Sequence, residues 1–282
     1  MENIKPSDDI FKKSYKKAIG GGLAGFSAMT IQITTLMWLR TTMNYQYKYG
    51  EKFIPSIKKL YSMGGISRFY RGYSAAIFIG PLSRFGDTAS NAYILSLFEN
   101  TTVPLGIQTI CGSFAAASWR AFLMPLDAIK TTLQVEGKPG LKLLKNKIKM
   151  NNPSILYHGT MASMSATFVG HYPWFLTYNI LNTNLPTYDE TYKNLLRSAF
   201  IGFNSAVISD CLSNSLRVIK TVKQTSKNNI TYKDTVNKIV NKNGVLELFG
   251  RGLKTRILTN GIQGILFTIC WKSIEEMWKN NN

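Results

Sequence analysis

Long uncharged runs set the pattern of this chain. Ala18 to Leu39 holds 22 residues without an acid or a base, enough helix to cross a bilayer core of about 30 Å. Asn100 to Trp119 is a second run of 20, and in Met150 to Tyr188, 39 residues long, only the histidines are potential charges. Three more apolar segments are interrupted or short: Tyr73 to Phe98 carries Arg84 and Asp87, Ala199 to Leu216 carries Asp210, and Ile257 to Trp271 has 15 residues. Together they predict six helices. Small residues crowd several of them, as at Gly20, Gly21, Gly22, Ala24 and Gly25 and again at Ala115 to Ser118, which is the composition of membrane helices that pack closely.

A soluble helical protein can bury such runs too, so the connections decide. From Thr41 through Arg71 there are six cations, from Thr131 through His158 five, and from Thr221 through Arg251 six, out of 34 in the chain. The other two connections hold only Lys193 and Arg197, against Glu99, Asp189 and Glu190. Six crossings would put the three cationic connections on one face, the asymmetry of a membrane topology.

Charge and composition then narrow the functional classes. The formal net charge of +19 over 282 residues suggests an anionic partner, but nucleic acid would explain neither the uncharged runs nor the repeat described next. Cys111, Cys211 and Cys270 lack metal or disulfide spacing, and His158 and His171 are too few for a histidine metal cluster. No nucleophilic triad, paired-carboxylate motif or phosphate-binding glycine loop is present, so no enzyme, cofactor or metal is expected. No cleaved leader is expected either.

The chain repeats itself at 90 residues. Pro125, Asp127, Lys130, Thr131 and Gln134 align with Thr35, Met37, Arg40, Thr41 and Asn44 one step back, and with Ser215, Arg217, Lys220, Thr221 and Gln224 one step forward. Gly22, Gly112 and Gly202 fall in the same register. A second marker ends each cationic connection: Arg71-Gly72, His158-Gly159 and Arg251-Gly252. Repeats are assigned to residues 12–98, 104–184 and 192–280.

On these residues the chain resembles the mitochondrial carrier family over nearly its whole length. The resemblance implies an all-α membrane protein with six transmembrane helices, in three pseudo-symmetric two-helix repeats around a central cavity. It further implies a multi-pass monomer of the mitochondrial inner membrane that moves a small-molecule solute by alternating access. The cationic connections would face the matrix and meet anionic phospholipid such as cardiolipin. Each acid of the repeated motif would pair with the base of the next repeat to form a gate, and Gln134 would brace such a pair.

The motif is complete only in the middle repeat. Of the three implied gate pairs Asp127–Lys220 survives; Lys130 would face Met37, and Arg217 would face Arg40. The second gate expected on the even helices falls on Asn91 to Leu95, Tyr178 to Asn182 and Trp271 to Glu275, where the first two stretches are neutral and the third has its charges inverted. The gate candidates are therefore Arg40, Asp127, Lys130, Gln134, Arg217 and Lys220.

Charges buried in a membrane are costly and point to function. Arg84 and Asp87 are placed for a local pair, and Arg120 and Asp210, 90 residues apart, for a bridge at one depth. Solute-contact candidates are Arg84, Arg120, Thr167, His171, Asn260 and Gln263. An electropositive floor of Arg40, Lys130, Arg217 and Lys220 favours an anionic solute. The rival reading is a degenerate carrier-fold protein that serves as a membrane scaffold, adaptor or insertion factor without transport.

Overall fold

The structure is a computed structural model that describes residues 29–98, 102–151 and 153–280. Every regular element among the described residues is helical. Helix α1 is described over 29–49; it is followed by α2 (Phe53–Ser62), α3 (Gly65–Phe69), α4 (Tyr73–Leu97), α5 (Leu105–Phe122), α6 (Met124–Val135) and α7 (Gly137–Asn151). After a 3-10 turn at Pro153–Tyr157 come α8 (Thr160–Asn184), α9 (Thr191–Gln224), α10 (Tyr232–Asn243), α11 (Val245–Gly250) and α12 (Leu253–Asn280).

The long helices close into a ring. Neighbours along the ring are α4 and α5, α5 and α8, α8 and α9, and α9 and α12. Helix α1 completes it, bonding α4 through Thr34 and Tyr73, and α12 through Gln32 and Gln263. The short elements α2, α3, α7, α10 and α11 gather with the cationic connections at one end. There Lys48 and Lys147 both donate to Ser226, on its hydroxyl and its carbonyl respectively.

Proline accounts for the one broken rod. Pro125 has no N–H to give, and helix α5 stops at Phe122 before α6 restarts at Met124. Thr35 and Ser215 occupy the same register position, and α1 and α9 run through them without a break.

The distribution of side chains is that of a protein in lipid. Phe78, Phe85, Phe114, Phe122, Met161 and Leu212 are each more than half exposed, whereas Thr41, Thr42, Ser113, Ser205, Ser213 and Asn214 are fully buried. Most of these inner hydroxyls donate back to their own helix, as Ser113 to Thr109, Ser205 to Ile201 and Ser213 to Ser209, so burial leaves them satisfied. By length and hydropathy alone, only Tyr192–Gln224 among the described helices is apolar enough to cross a membrane. Polar residues facing inward explain why the other long helices fall short of that measure.

Three marker glycines fix how the ring is keyed. Gly72, Gly159 and Gly252 all take positive φ, at 85°, 91° and 65°, where a Cβ is penalised. Each also lies against the next rod. A Cβ on Gly72 would meet the Lys130 carbonyl at 3.0 Å, and one on Gly159 the Lys220 carbonyl at 3.3 Å. At Gly252 the nearest backbone atom is the carbonyl of Met43, 3.3 Å away and three residues beyond Arg40. The neighbouring arginines agree: Arg71 covers Gly137, seven residues after Lys130, while Arg251 covers Gly50, ten after Arg40. The seam between α12 and α1 is thus displaced by three residues, about 4.5 Å of helix, from the register of the other two.

Arg68 locks the first of these seams. Its guanidinium is 1% exposed and donates to the carbonyls of Gln134 and Val135 at 2.8 and 2.6 Å, ending α6 with a buried cation. Two substitutions should move stability in different directions. Gly72→Ala is expected to lower stability by about 2 kcal/mol, from the left-handed penalty plus contact with the Lys130 carbonyl. Gly202→Ala, which meets nothing within 4 Å, should leave stability unchanged or raise it by about 0.5 kcal/mol. Thermal unfolding in detergent tests both; equal losses would contradict the keying.

Candidate functional site

Charged side chains of the described helices meet in three separate groups. At the end bearing the cationic connections, Asp127 of α6 accepts from Lys130 through Oδ1 at 2.5 Å and from Lys220 of α9 through Oδ2. One carboxylate therefore holds two ammonium groups. Lys220 lies within electrostatic reach of Arg217, and Arg217 within reach of Arg256, Asp210 and Arg120. Arg120 pairs with Asp87 at 2.8 Å and donates to Ser83. His171 faces the same pair, with its Nδ1 3.1 Å from the Ser113 hydroxyl.

One expected pairing is replaced. The bridge from Arg120 to Asp210 does not form: Arg120 turns to Asp87 on α4, and Asp210 pairs with Arg256 of α12 at 2.5 Å while accepting from Asn260. Equal depth along two helices does not make two side chains face each other, and α4 and α12 each supply a nearer partner. Asp87 gives its Oδ2 to Arg120, and the local pair expected with Arg84 lies outside the described residues.

The glutamine brace is also redirected. Gln134 accepts from Asn44 at 2.6 Å and places its amide nitrogen 3.6 Å from the Met37 sulfur. It therefore ties α6 to α1, amide to amide across equivalent register positions, instead of supporting Asp127 and Lys220. The third amide of that register, Gln224, is buried with both its polar atoms unpartnered.

The displaced seam relocates Arg40. Carried one turn away from the cationic end, its guanidinium donates to Gln263 Oε1 at 2.9 Å. The charged groups acting on Arg217 include Arg256, Asp210, Arg120 and Lys220. Thr167 is buried and donates to Ser163 of its own helix. Asn260 and Gln263, one turn apart on α12, hold Asp210 and Arg40 respectively.

Arg256 is the participant that sequence reasoning missed. It sits just before the apolar run beginning at Ile257, and so reads as a flanking charge. The available signal was its place four residues after the marker glycine, where the other repeats have Ala76 and Ser163. The proposed second gate falls largely outside the described residues: side chains 91–93, 95 and 267–280 are not described. Outside the ring, burial aided by Lys223 and Lys147 holds His158 below its ordinary value. The middle marker is therefore neutral at pH 7, where the others carry Arg71 and Arg251.

A ring of helices with apolar outer faces and a charged interior is the architecture of a helical membrane protein. Residues 101–189 and 192–282 match the mitochondrial carrier protein family, and the chain belongs to that family. Members of it are transporters and not enzymes, which makes this chain a solute carrier of a mitochondrial membrane. It is 24% identical over 198 residues to the mitochondrial carrier-like protein L276 of Acanthamoeba polyphaga mimivirus, covering 70% of this chain and 76% of that one. It is also 24% identical over 172 residues to the mitochondrial thiamine pyrophosphate carrier 1 of Candida albicans, covering 56% of each.

Charge swaps test the pairing. Asp87→Arg and Arg120→Asp should each cost about 2–3 kcal/mol by leaving a buried charge unmatched, and the double variant should recover at least half of that. Arg120→Asp combined with Asp210→Arg should recover nothing. Unfolding midpoints of the purified variants check both expectations, and rescue by the second combination would reinstate the symmetric bridge.

Proposed function

We propose that the protein moves a small anionic metabolite by alternating access, and that the six long rods, with α5 and α6 counted as one, are transmembrane. They form three two-helix repeats (12–98, 104–184 and 192–280) around a central solute path. The observation that carries this reading is the balance of interior charge. Arg40, Arg120, Lys130, Arg217, Lys220 and Arg256 stand against Asp87, Asp127 and Asp210. Such an excess attracts an anion and is relieved by it.

Each end of the path has a role. Asp127 with Lys130 and Lys220 is the gate toward the cationic face, and Arg120, Thr167, His171, Asn260, Gln263 and Arg84 are the solute contacts. Asp87 Oδ1 and Arg120 Nε are buried without partners, so the pair has bonding capacity to offer a solute. The yeast relative supports a charged cargo, since thiamine pyrophosphate, by its name, carries a diphosphate. The protein acts as a monomer in the mitochondrial inner membrane, its cationic face set on anionic phospholipid such as cardiolipin. The scaffold reading is not favoured by the family, and the intact Asp127–Lys220 pair argues against it.

Reconstitution in liposomes tests the proposal with anionic, neutral and cationic metabolites. Saturable uptake of at least one anion, exchanged against the same anion inside, is expected. Lys220→Gln should cut that rate tenfold or more by releasing one side of the gate. A correctly folded protein that exchanges no metabolite of any charge would sink the transport reading.

A further inference from the structure

All three repeats meet on the last turn of α9. Lys48 of α1 crosses to it and donates to the Val222 carbonyl and the Ser226 hydroxyl, both at 3.3 Å. Lys147 of α7, from the middle repeat, donates to the Ser226 carbonyl at 2.6 Å. What both lysines meet is the carbonyl end of a 34-residue helix, where partial negative charge gathers and cations are favoured. Beside Lys48, Tyr47 shares a buried apolar cluster with Val218 and Val222 of α9, Ile239 of α10 and Leu248 of α11, and Met43 packs against it. Helices α1 and α9 are not neighbours along the ring: α1 lies between α4 and α12, and α9 between α8 and α12. Contact between them therefore needs the rods to converge at the cationic end.

We propose that Lys48 and Lys147 latch onto the last turn of α9 and, with the Tyr47 cluster, hold the cationic end of the ring closed where the gate pair between the third and first repeats is missing. Repeat symmetry puts Arg217 and Arg40 at that pair, and two cations cannot close it. A lysine on a helix end suits a closure that must reopen. A buried ion pair strands two charges when it parts, whereas a departing lysine returns its ammonium to water on a flexible stem. The carbonyls it leaves are then met by water, as at other helix ends. The apolar cluster supplies the holding strength, since opening would wet Tyr47, Val218 and Val222. Asp127–Lys220 ties α6 to α9, and the latch adds α1 and α7 to the same helix. The proposal rests on the carrier reading and names the contacts that decide whether its cationic side is open.

The full-length protein, purified in detergent, provides the test. Cys111→Ser, Cys211→Ser and Cys270→Ser together give a background free of cysteine. Val222→Cys in that background reports opening between α1 and α9 through its rate of labelling by a hydrophilic maleimide. Ile33→Cys, in the buried cluster where α1 packs on α4 through Ala76, reports general loosening. Lys48→Met and Lys147→Met should each speed labelling of the Val222→Cys protein about tenfold, because labelling follows the population of the open form. Labelling of the Ile33→Cys protein should stay within about twofold of its parent, as expected for a local opening. Lys48→Arg keeps a cation on the same carbonyls and should hold the Val222→Cys rate near that of the parent. Val218→Cys serves as reporter if Val222→Cys fails to fold, and either lysine variant suffices. An unchanged rate in both lysine variants, or a parallel rise at Ile33→Cys, overturns the latch.

Uptake into liposomes separates this outcome from the fate of the carrier reading. A protein that transports while its labelling ignores both lysines keeps the carrier reading and loses the latch. One that moves no solute yet labels faster without either lysine loses the transport reading and keeps the latch.

Discussion

Asp127 accepts from two lysines at once, and that shared carboxylate sets the terms for the rest of the interior. A charge taken into a membrane bundle is tolerated only where an opposite charge or several dipoles meet it. Among the described residues three carboxylates do this for six cations: Asp127 between Lys130 and Lys220, Asp210 between Arg256 and Asn260, and Asp87 through one oxygen on Arg120 beside Ser83. Neutral groups carry the remainder. Gln263 takes Arg40, and the buried serines and threonines turn back on their own helices instead of adding to the demand for partners.

Geometry helps where chemistry is short. Repeat symmetry would set Arg217 against Arg40, two cations with no acid between them. The three-residue displacement between α12 and α1 moves Arg40 to an amide and leaves Arg217 near the Asp210–Arg256 pair. The same displacement brings Tyr47 under Gly252, its ring carbons within 3 Å of where a Cβ would stand. Packing and electrostatics are settled by one shift.

How much of this was legible depends on what a sequence encodes. Uncharged runs and cation-rich connections reported the helices and their common end, because both follow from one-dimensional distance along the chain. The meeting of Asp127 with Lys220 was also readable, since both residues stand in the repeated register and the resemblance supplies the pairing rule. Arg120 and Asp210 were misassigned because the 90-residue period gives depth and not the direction in which a side chain points. Arg256 was passed over because it borders an apolar run instead of interrupting it. The displaced seam leaves no trace in the motif spacing, which is 90 from Arg40 to Lys130 and from Lys130 to Lys220; it exists between helices that are far apart in the chain.

The break at Leu123 gives the ring a mechanical asymmetry. Helices α1 and α9 are continuous struts, in which movement at one end is delivered to the other. The rod made of α5 and α6 is jointed where Pro125 removes its hydrogen bond, so its two halves can tilt independently. A ring of three equivalent joints would open by one symmetric motion. Helices α4 and α8 carry Pro81 and Pro173 without interruption, so among the described long rods the break itself lies only in the middle one, and the ring resembles a hinged clasp in which α1 and α9 serve as the frame.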